Sequence, residues 1–345
     1  VTDAIRKRCE NEVLGYTGKP DSYYNAIINW VKQRYDLVVA KEMINFVPGI
    51  VPGIGMAMNC FTQKGDKVMI QPPVYHPFAW VTTRNERTLV TNPLKWENGM
   101  YRMDLDTFRE QIKGCKLFIL CNPHNPGGVV WTEAELRAIA DICYDEKVLV
   151  FSDEIHADLT LPPHTHRPFA TVSEKARMNS VTFMSPSKAF NMPGLSASHA
   201  LIFNEDLRKR FRIYMDAGEL DMGHVFAFLS VEAAYSHGTE WLDQCLAYIQ
   251  GNIDFVDDFL KNHAPKIKAI RPEASYLVWL DCRELKLSQK DLNEFFVDKA
   301  HLALNDGEMF GKEGIGFMRL NVASPRCIIE KAMKQLADAY QLYIK

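Results

Sequence analysis

The chain of 345 residues sets 40 Lys and Arg against 43 Asp and Glu, a formal net charge of -3, and 47% of it is hydrophobic. That balance gives no electrostatic reason to expect nucleic acid or an anionic membrane as partner, and the length points to two domains sharing one chain. No apolar stretch is long enough to cross a bilayer, no basic-then-apolar signal opens the chain, and the eight scattered cysteines read as reduced thiols of a cytoplasmic protein.

Thr2 to Val13 is expected to form an amphipathic helix with Ala4, Ile5, Cys9 and Val13 on one stripe, and an opening inside a helix points to residues upstream. After the turn-rich stretch Leu14 to Pro20, Ser22 to Tyr35 has helical length and spacing. Met43 to Val47 reads as a short buried strand, Pro48-Gly49 breaks it, and Ile50 to Phe61 continues as a helix. Further strands are expected at Lys67 to Gln71, Thr88 to Asn92, Leu117 to Cys121, Val148 to Ser152, Val181 to Met184 and His199 to Phe203. Thr132 to Asp145 is helical and begins with the capping pattern Thr132-Glu133-Ala134-Glu135. Strands alternating with helices predict an α/β fold with a mainly parallel sheet covered on both faces, whose ligands bind outside the carboxyl ends of the strands. From His224 the texture turns to long helices, including Glu240 to His263, then a strand at Tyr276 to Asp281, another at Gly316 to Val322 and a closing helix from Cys327. The expected division is a large domain over residues 1–238 and a smaller C-terminal α/β domain over 239–345.

The residues with chemistry follow apolar strands: Gly49 after Phe46-Val47, Asn125 after Phe118 to Cys121, and Asp153 after Val148 to Phe151. Lys188 lies in Ser185-Pro186-Ser187-Lys188, where hydroxyls three positions and one position earlier can hold a phosphate. A lysine amine is a useful nucleophile when its surroundings lower its pKa, and an ionised acid can keep a pyridine nitrogen protonated. Lys188 with Asp153 therefore suggests a Schiff base to pyridoxal phosphate. Gly49, Ile50 and Val51 open a helix and offer backbone donors to the phosphate. The run Gly49 to Gly55 is not a nucleotide motif, since no Lys-Ser or Lys-Thr follows it. His164-Thr165-His166 is expected in an exposed loop rather than at a metal, and no metal site is expected.

The order of Leu14-Gly15-Tyr16-Thr17, Pro73-Val74-Tyr75, Pro123-His124-Asn125-Pro126, Ser152-Asp153-Glu154-Ile155-His156 and Pro186-Ser187-Lys188 resembles the fold type I pyridoxal phosphate enzymes, the aspartate aminotransferase-like superfamily. Within it the wording is similar to the MalY/PatB-type cystathionine β-lyases, including cystalysin. The resemblance implies Lys188 as the Schiff-base lysine and general base, and Asp153 as partner of the pyridine nitrogen. It implies Asn125 on the cofactor's phenolic oxygen, with Tyr75 stacked on the ring and sharing the catalytic role. Ser185 becomes the side-chain phosphate ligand near the lysine, and His156 stands near the cofactor where aminotransferases commonly have Tyr. Arg319 clamps the substrate carboxylate. Tyr16 reaches the phosphate and substrate of the neighbouring subunit, which makes the enzyme a homodimer with shared sites. Three departures accompany the match: His76 where cystalysin has a second Tyr, Ser196 where many aminotransferases place an Arg, and an upstream segment in the family that precedes this start. The implied activity is β-elimination from L-cystathionine or a related S-substituted cysteine. An aminotransferase on the same scaffold is the first alternative, and a MalY-like regulatory partner-binding protein the second.

Overall fold

The computed structural model describes residues 1–343. The chain opens with α1 (Thr2–Cys9) and α2 (Asp21–Tyr35), then β1 (Ile44–Val47), α3 (Ile50–Phe61), β2 (Lys67–Ile70), α4 (Pro77–Arg84) and β3 (Thr88–Thr91). A hairpin of β4 (Lys95–Glu97) and β5 (Met100–Arg102) leads to α5 (Leu105–Gln111), β6 (Cys115–Cys121), α6 (Glu133–Asp145), β7 (Leu149–Asp153), α7 (Glu174–Met178), β8 (Ser180–Met184) and β9 (Ser198–Leu201). After α8 (Glu205–Ala217), α9 (Val225–His237) and α10 (Thr239–His263) come β10 (Lys268–Ile270), β11 (Leu277–Asp281), α11 (Gln289–Glu294), β12 (Asn305–Asp306), β13 (Phe317–Asn321) and α12 (Arg326–Tyr343).

Seven strands form one sheet in the order β1-β9-β8-β7-β6-β2-β3. Its pairs are parallel from β8 through β7, β6 and β2 to β3, whereas β9 runs antiparallel to both of its neighbours. The carboxyl ends of β1, β6, β7 and β8 therefore share one edge. Side chains alternate between two apolar layers, as the period of a strand demands. On β8, Val181 and Phe183 join the layer under α3, α4 and α8, and on β6 Phe118 and Leu120 join the opposite layer with α5 and α6. Gly53 lets α3 lie close on β1, because a Cβ there would stand 2.9 Å from Val47 Cγ2. Four shorter strands form a second, antiparallel sheet in the order β10-β11-β13-β12, with α10 and α12 supplying its apolar cover.

The expected element order is found, with three differences of physical interest. The first helix stops at Cys9 and buries no residue, and the Arg8 guanidinium donates to the carbonyls of Asn11 and Val13 beyond its end (2.8 and 2.7 Å). The β4–β5 hairpin escaped the sequence reading although Asn98-Gly99 signals it, both residues having positive φ (51° and 82°), as a tight hairpin turn requires. The third concerns the His164-Thr165-His166 loop: His166 is buried rather than exposed, its Nε2 lying 2.8 Å from Glu154 Oε2. A buried carboxylate needs such partners, and Glu154 also accepts from Ser152 Oγ and the Phe169 amide, both at 2.8 Å.

Candidate active site

The strand edge of the large sheet and β13 of the second sheet face each other across a cavity of about 440 Å³. Its lining contains Gly49, Ile50, Val51, Tyr75, Asn125, Asp153, His156, Lys188 and Arg319, nine of the residues singled out in the sequence, together with His76 and Ser196. Two others lie elsewhere. Ser185 is buried outside the lining, its Oγ donating to Ala197 O (2.7 Å) and accepting from the Ser187 amide (3.1 Å), and Ser187 is the hydroxyl of that motif that lines the cavity. Tyr16 is 97% exposed and belongs to no part of its own chain's cavity.

Register explains the central placement. On the large sheet Asp153 lies between Cys121 of β6 and Phe183 of β8. Asp153 Oδ1 accepts from the Ile155 amide at 3.1 Å. Burial raises its carboxyl to about 7, assisted by the charge of Glu154 and opposed by the Ile155 N–H and Lys188. Burial lowers the pKa of Lys188, the nearby Arg319 charge lowers it further, and Asp153 acts the other way. The amine is thereby moved towards the form that attacks and accepts protons.

Arg319 reaches the cavity from β13, directly opposite Asn305 on β12. Its Nη1 donates to Asn125 Oδ1 (2.8 Å) and its Nη2 to Asn305 Oδ1 (2.7 Å), and its guanidinium carbon lies 4.6 Å from the centre of the Phe310 ring. The buried Nε has no partner, so donor capacity remains for a ligand. Burial lowers this guanidinium to about 10. His76 packs edge-on against Trp80, 4.4 Å between ring centres, and burial followed by the Arg319 charge keeps it neutral more readily than a free imidazole.

Tyr276, Cys121 and Asn321 also line the cavity and were missed in the sequence. Tyr276 was taken only as the first residue of a strand, and the positive φ of Ser275 before it (81°) is visible only in the structure. Cys121 was taken only as a strand end, and nothing distinguished Asn321 from an ordinary strand polar residue.

Three buried histidines, His124, His156 and His199, are lowered to about 3 by burial, with Lys188 and Arg319 adding to the effect at His156. A base depressed in the folded state contributes stability that is complete above the unfolded value near 6.5 and is lost as pH falls towards 3. Asp153, raised, runs the other way, contributing stability that is complete below pH 4 and lost as pH rises through 7. From pH 7 to pH 5 the three histidines cost about 2 kcal/mol each and Asp153 returns about 2, so these four groups should together remove roughly 4 kcal/mol of stability from the cofactor-free protein. Urea unfolding at the two pH values measures this, and a midpoint that does not fall on acidification contradicts it.

The residues fit pyridoxal phosphate. Gly49 is the N-cap of α3 and offers no side-chain cap, so the Ile50 and Val51 amides at the helix N-terminus, both in the cavity lining, are available as anion donors. A buried carboxyl with a pKa near 7 suits a protonated ring nitrogen, and Lys188 brings an amine to the same lining.

A family model described as aminotransferase class I and II matches residues 4–336. Cystathionine beta-lyase PatB of Bacillus subtilis (strain 168) is 37% identical over 341 residues, covering 98% of this chain and 88% of the relative. Cystalysin of Treponema denticola, solved with a pyridoxal 5'-phosphate cofactor, superposes with a TM-score of 0.96 at 34% identity, covering 100% of this chain and 88% of the other. A PLP-bound putative aminotransferase from Clostridium difficile 630 also superposes at 0.96, with 40% identity and coverage of 98% and 88%.

Proposed function

This chain belongs to the class I and II aminotransferase family, and from that membership we propose a pyridoxal-phosphate-dependent carbon–sulfur lyase that eliminates the β substituent of L-cystathionine or a related S-substituted L-cysteine. The products are a thiol, pyruvate and ammonia. The observation that carries the chemistry is the convergence of Lys188, Asp153 and Arg319, from two different sheets, on one cavity. Elimination rather than transamination follows the relatives named cystathionine beta-lyase.

When bound, the cofactor withdraws electrons from the substrate's α carbon. Ile50 and Val51 would hold its phosphate through their amides, with Ser187 beside them, while the Asp153 carboxylate would pair with the ring nitrogen and Asn125 with the phenolic oxygen. Tyr75 would stack on the ring. Arg319 fixes the substrate carboxylate, a task suited to a planar fork of donors, and Asn125 and Asn305 hold that fork in place. Lys188 Nζ would hold the cofactor covalently and would take the substrate's α proton as general base. His156, buried with an unpartnered Nδ1, fills the floor with a neutral ring.

The same reading places the domain boundary at Gly238, between α9 and α10. It includes a homodimer, supported by Tyr16: this aromatic stands exposed beyond its own cavity, free to reach a partner's phosphate and substrate. It includes the cytoplasm, supported by eight free cysteines and by the finding that no helix among the described residues is long and apolar enough to cross a membrane.

A single incubation tests the reaction. Supplied with L-cystathionine and no keto acid, the enzyme should release pyruvate and free thiol in equal amounts. Turnover only on addition of a keto acid, with no thiol, would assign the chain to transamination, the reading that the aminotransferase-named structural neighbour favours.

A further inference from the structure

Asp153 is followed by a second buried carboxyl, Glu154, which lies outside the cavity lining. Phe151 joins the apolar layer under α3 and Val150 the opposite layer with Phe169, so strand alternation puts Asp153 on the first face and Ser152 and Glu154 on the second. The ladder continues past β7 and keeps them there. The Asn122 amide donates to Asp153 O and the Glu154 amide to Phe183 O, both at 2.9 Å. Glu154 Oε1 accepts from Ser152 Oγ and the Phe169 amide, and Oε2 lies 2.8 Å from Nε2 of His166. The two side chains are 0% and 1% exposed. Behind the imidazole Tyr35 packs edge-on, 5.5 Å between ring centres, and its hydroxyl bonds Asp158, which also accepts from Trp30 Nε1 at 3.0 Å. An apolar side chain would fill the place of Glu154 at lower electrostatic cost.

We propose, with pyridoxal phosphate in the cavity as assigned above, that Glu154 and His166 are positioning residues for its ring: from the far face of the sheet the Glu154 charge governs the grip of Asp153 on the ring nitrogen, and His166 keeps that charge in place. Neither residue lines the cavity. Like charges on adjacent residues disfavour each other's ionised form, and Glu154 adds in this way to the rise that burial imposes on Asp153. The grip needs the Asp153 carboxylate and is lost as pH falls through the pKa of that group. Glu154 therefore raises the pH at which the ring is released. The other titratable or charged groups facing Asp153 come from the cavity side: Lys188, Tyr75, Cys121, His156 and Arg319. Those sharing a small surface cavity with His166 are Arg34, Tyr35, Asp158 and His164. His166 matters because a buried carboxylate deprived of a donor takes up a proton instead.

Binding of 4'-deoxypyridoxine 5'-phosphate to the full-length cofactor-free protein tests this without turnover. The probe has the ring nitrogen and the phosphate but no aldehyde to react with Lys188, and its own titration is common to every variant. In Glu154→Gln the pH at which affinity falls should move down by about one unit. The variant should then bind about tenfold tighter than the unaltered protein on the acid side and equally well at pH 8. The amide can keep the local bonds, since its oxygen accepts from Ser152 and Phe169. Its NH2 can donate to His166 Nε2 with the ring hydrogen on Nδ1, which has no partner among the described residues. His166→Leu should move the fall in the same direction, His166→Gln, which restores a donor, should return it, and neither Glu154→Gln nor His166→Leu should have any such effect in Asp153→Asn. A fall that stays in place or moves up in Glu154→Gln overturns the proposal, as does an equal loss of affinity at all pH values, the mark of a purely structural pair. A shift in Glu154→Gln with none in His166→Leu overturns the role of His166. No binding to the unaltered protein rejects the cofactor reading itself, and the proposal with it.

Discussion

Replacing Lys188 with alanine should lower turnover by at least about 10³-fold, because in the proposed mechanism one side chain supplies both the covalent hold on the cofactor and the base that takes the α proton. A positioned general base alone contributes about 10² to 10⁴-fold. The protein environment has already prepared this amine: burial and Arg319 both disfavour its ammonium form, and a surface lysine would lack both influences. The variant should still fold, since truncation of a side chain that lines a cavity leaves no buried group without its partner. Two measurements check the assignment. Steady-state release of pyruvate should vanish, and borohydride treatment, which should attach the cofactor to the Lys188 peptide of the unaltered protein, should label no peptide of the variant. Full activity in Lys188→Ala would remove the residue from the mechanism altogether.

Asp153→Asn carries the second large effect. The amide keeps the shape of the carboxyl, and its oxygen can still accept from the Ile155 amide, so local structure should hold. What disappears is a negative charge in a buried position. Deleting one partner of a buried, hydrogen-bonded charge pair costs about 2 to 5 kcal/mol, which is roughly 30- to 5,000-fold in a rate or a binding constant. Part of that loss should appear as weaker retention of the cofactor, measured by dialysis, and part as a lower kcat in protein saturated with it. Unchanged values of both would mean that Asp153 is only a structural carboxyl. Because burial raises that carboxyl to about 7, cofactor affinity should also decline as pH falls below 7 in the unaltered protein and stay nearly level in Asp153→Asn.

How much of the site could be read from the chain follows from where its residues sit. Gly49, Asn125, Asp153 and Lys188 each follow a short apolar strand that ends at the common edge, so local pattern and topology point the same way. Arg319 was legible through the family resemblance, within the strand expected at Gly316 to Val322. Asn305 was not, because the two-residue strand that sets it opposite Arg319 leaves no periodic signal and its importance arises from pairing across a sheet. Tyr276 was hidden for a similar reason: it meets Lys188 in the cavity lining from a distant part of the chain. Ser185 illustrates a limit of spacing. Three positions before Lys188, its hydroxyl is spent on Ala197 O and the Ser187 amide, a distinction that depends on the backbone path rather than on residue type. His166 was misplaced because a Pro-flanked loop usually lies in water, whereas here it folds inward to supply a partner for the buried Glu154.

The reversed strand β9 has an evolutionary consequence. Because it runs against β8, the segment from Ser185 to Ala197 leaves and re-enters the sheet at one edge, and the Ser185–Ala197 hydrogen bond ties its two ends together. Lys188 sits near one tied end, while Pro193 and Ser196, towards the other, line the cavity. Substitutions in the middle of this tethered loop can reshape that lining while the two tied ends keep their place on the sheet, so the scaffold can vary the cavity wall at positions 193–196 in the course of descent without disturbing the attachment of the lysine segment.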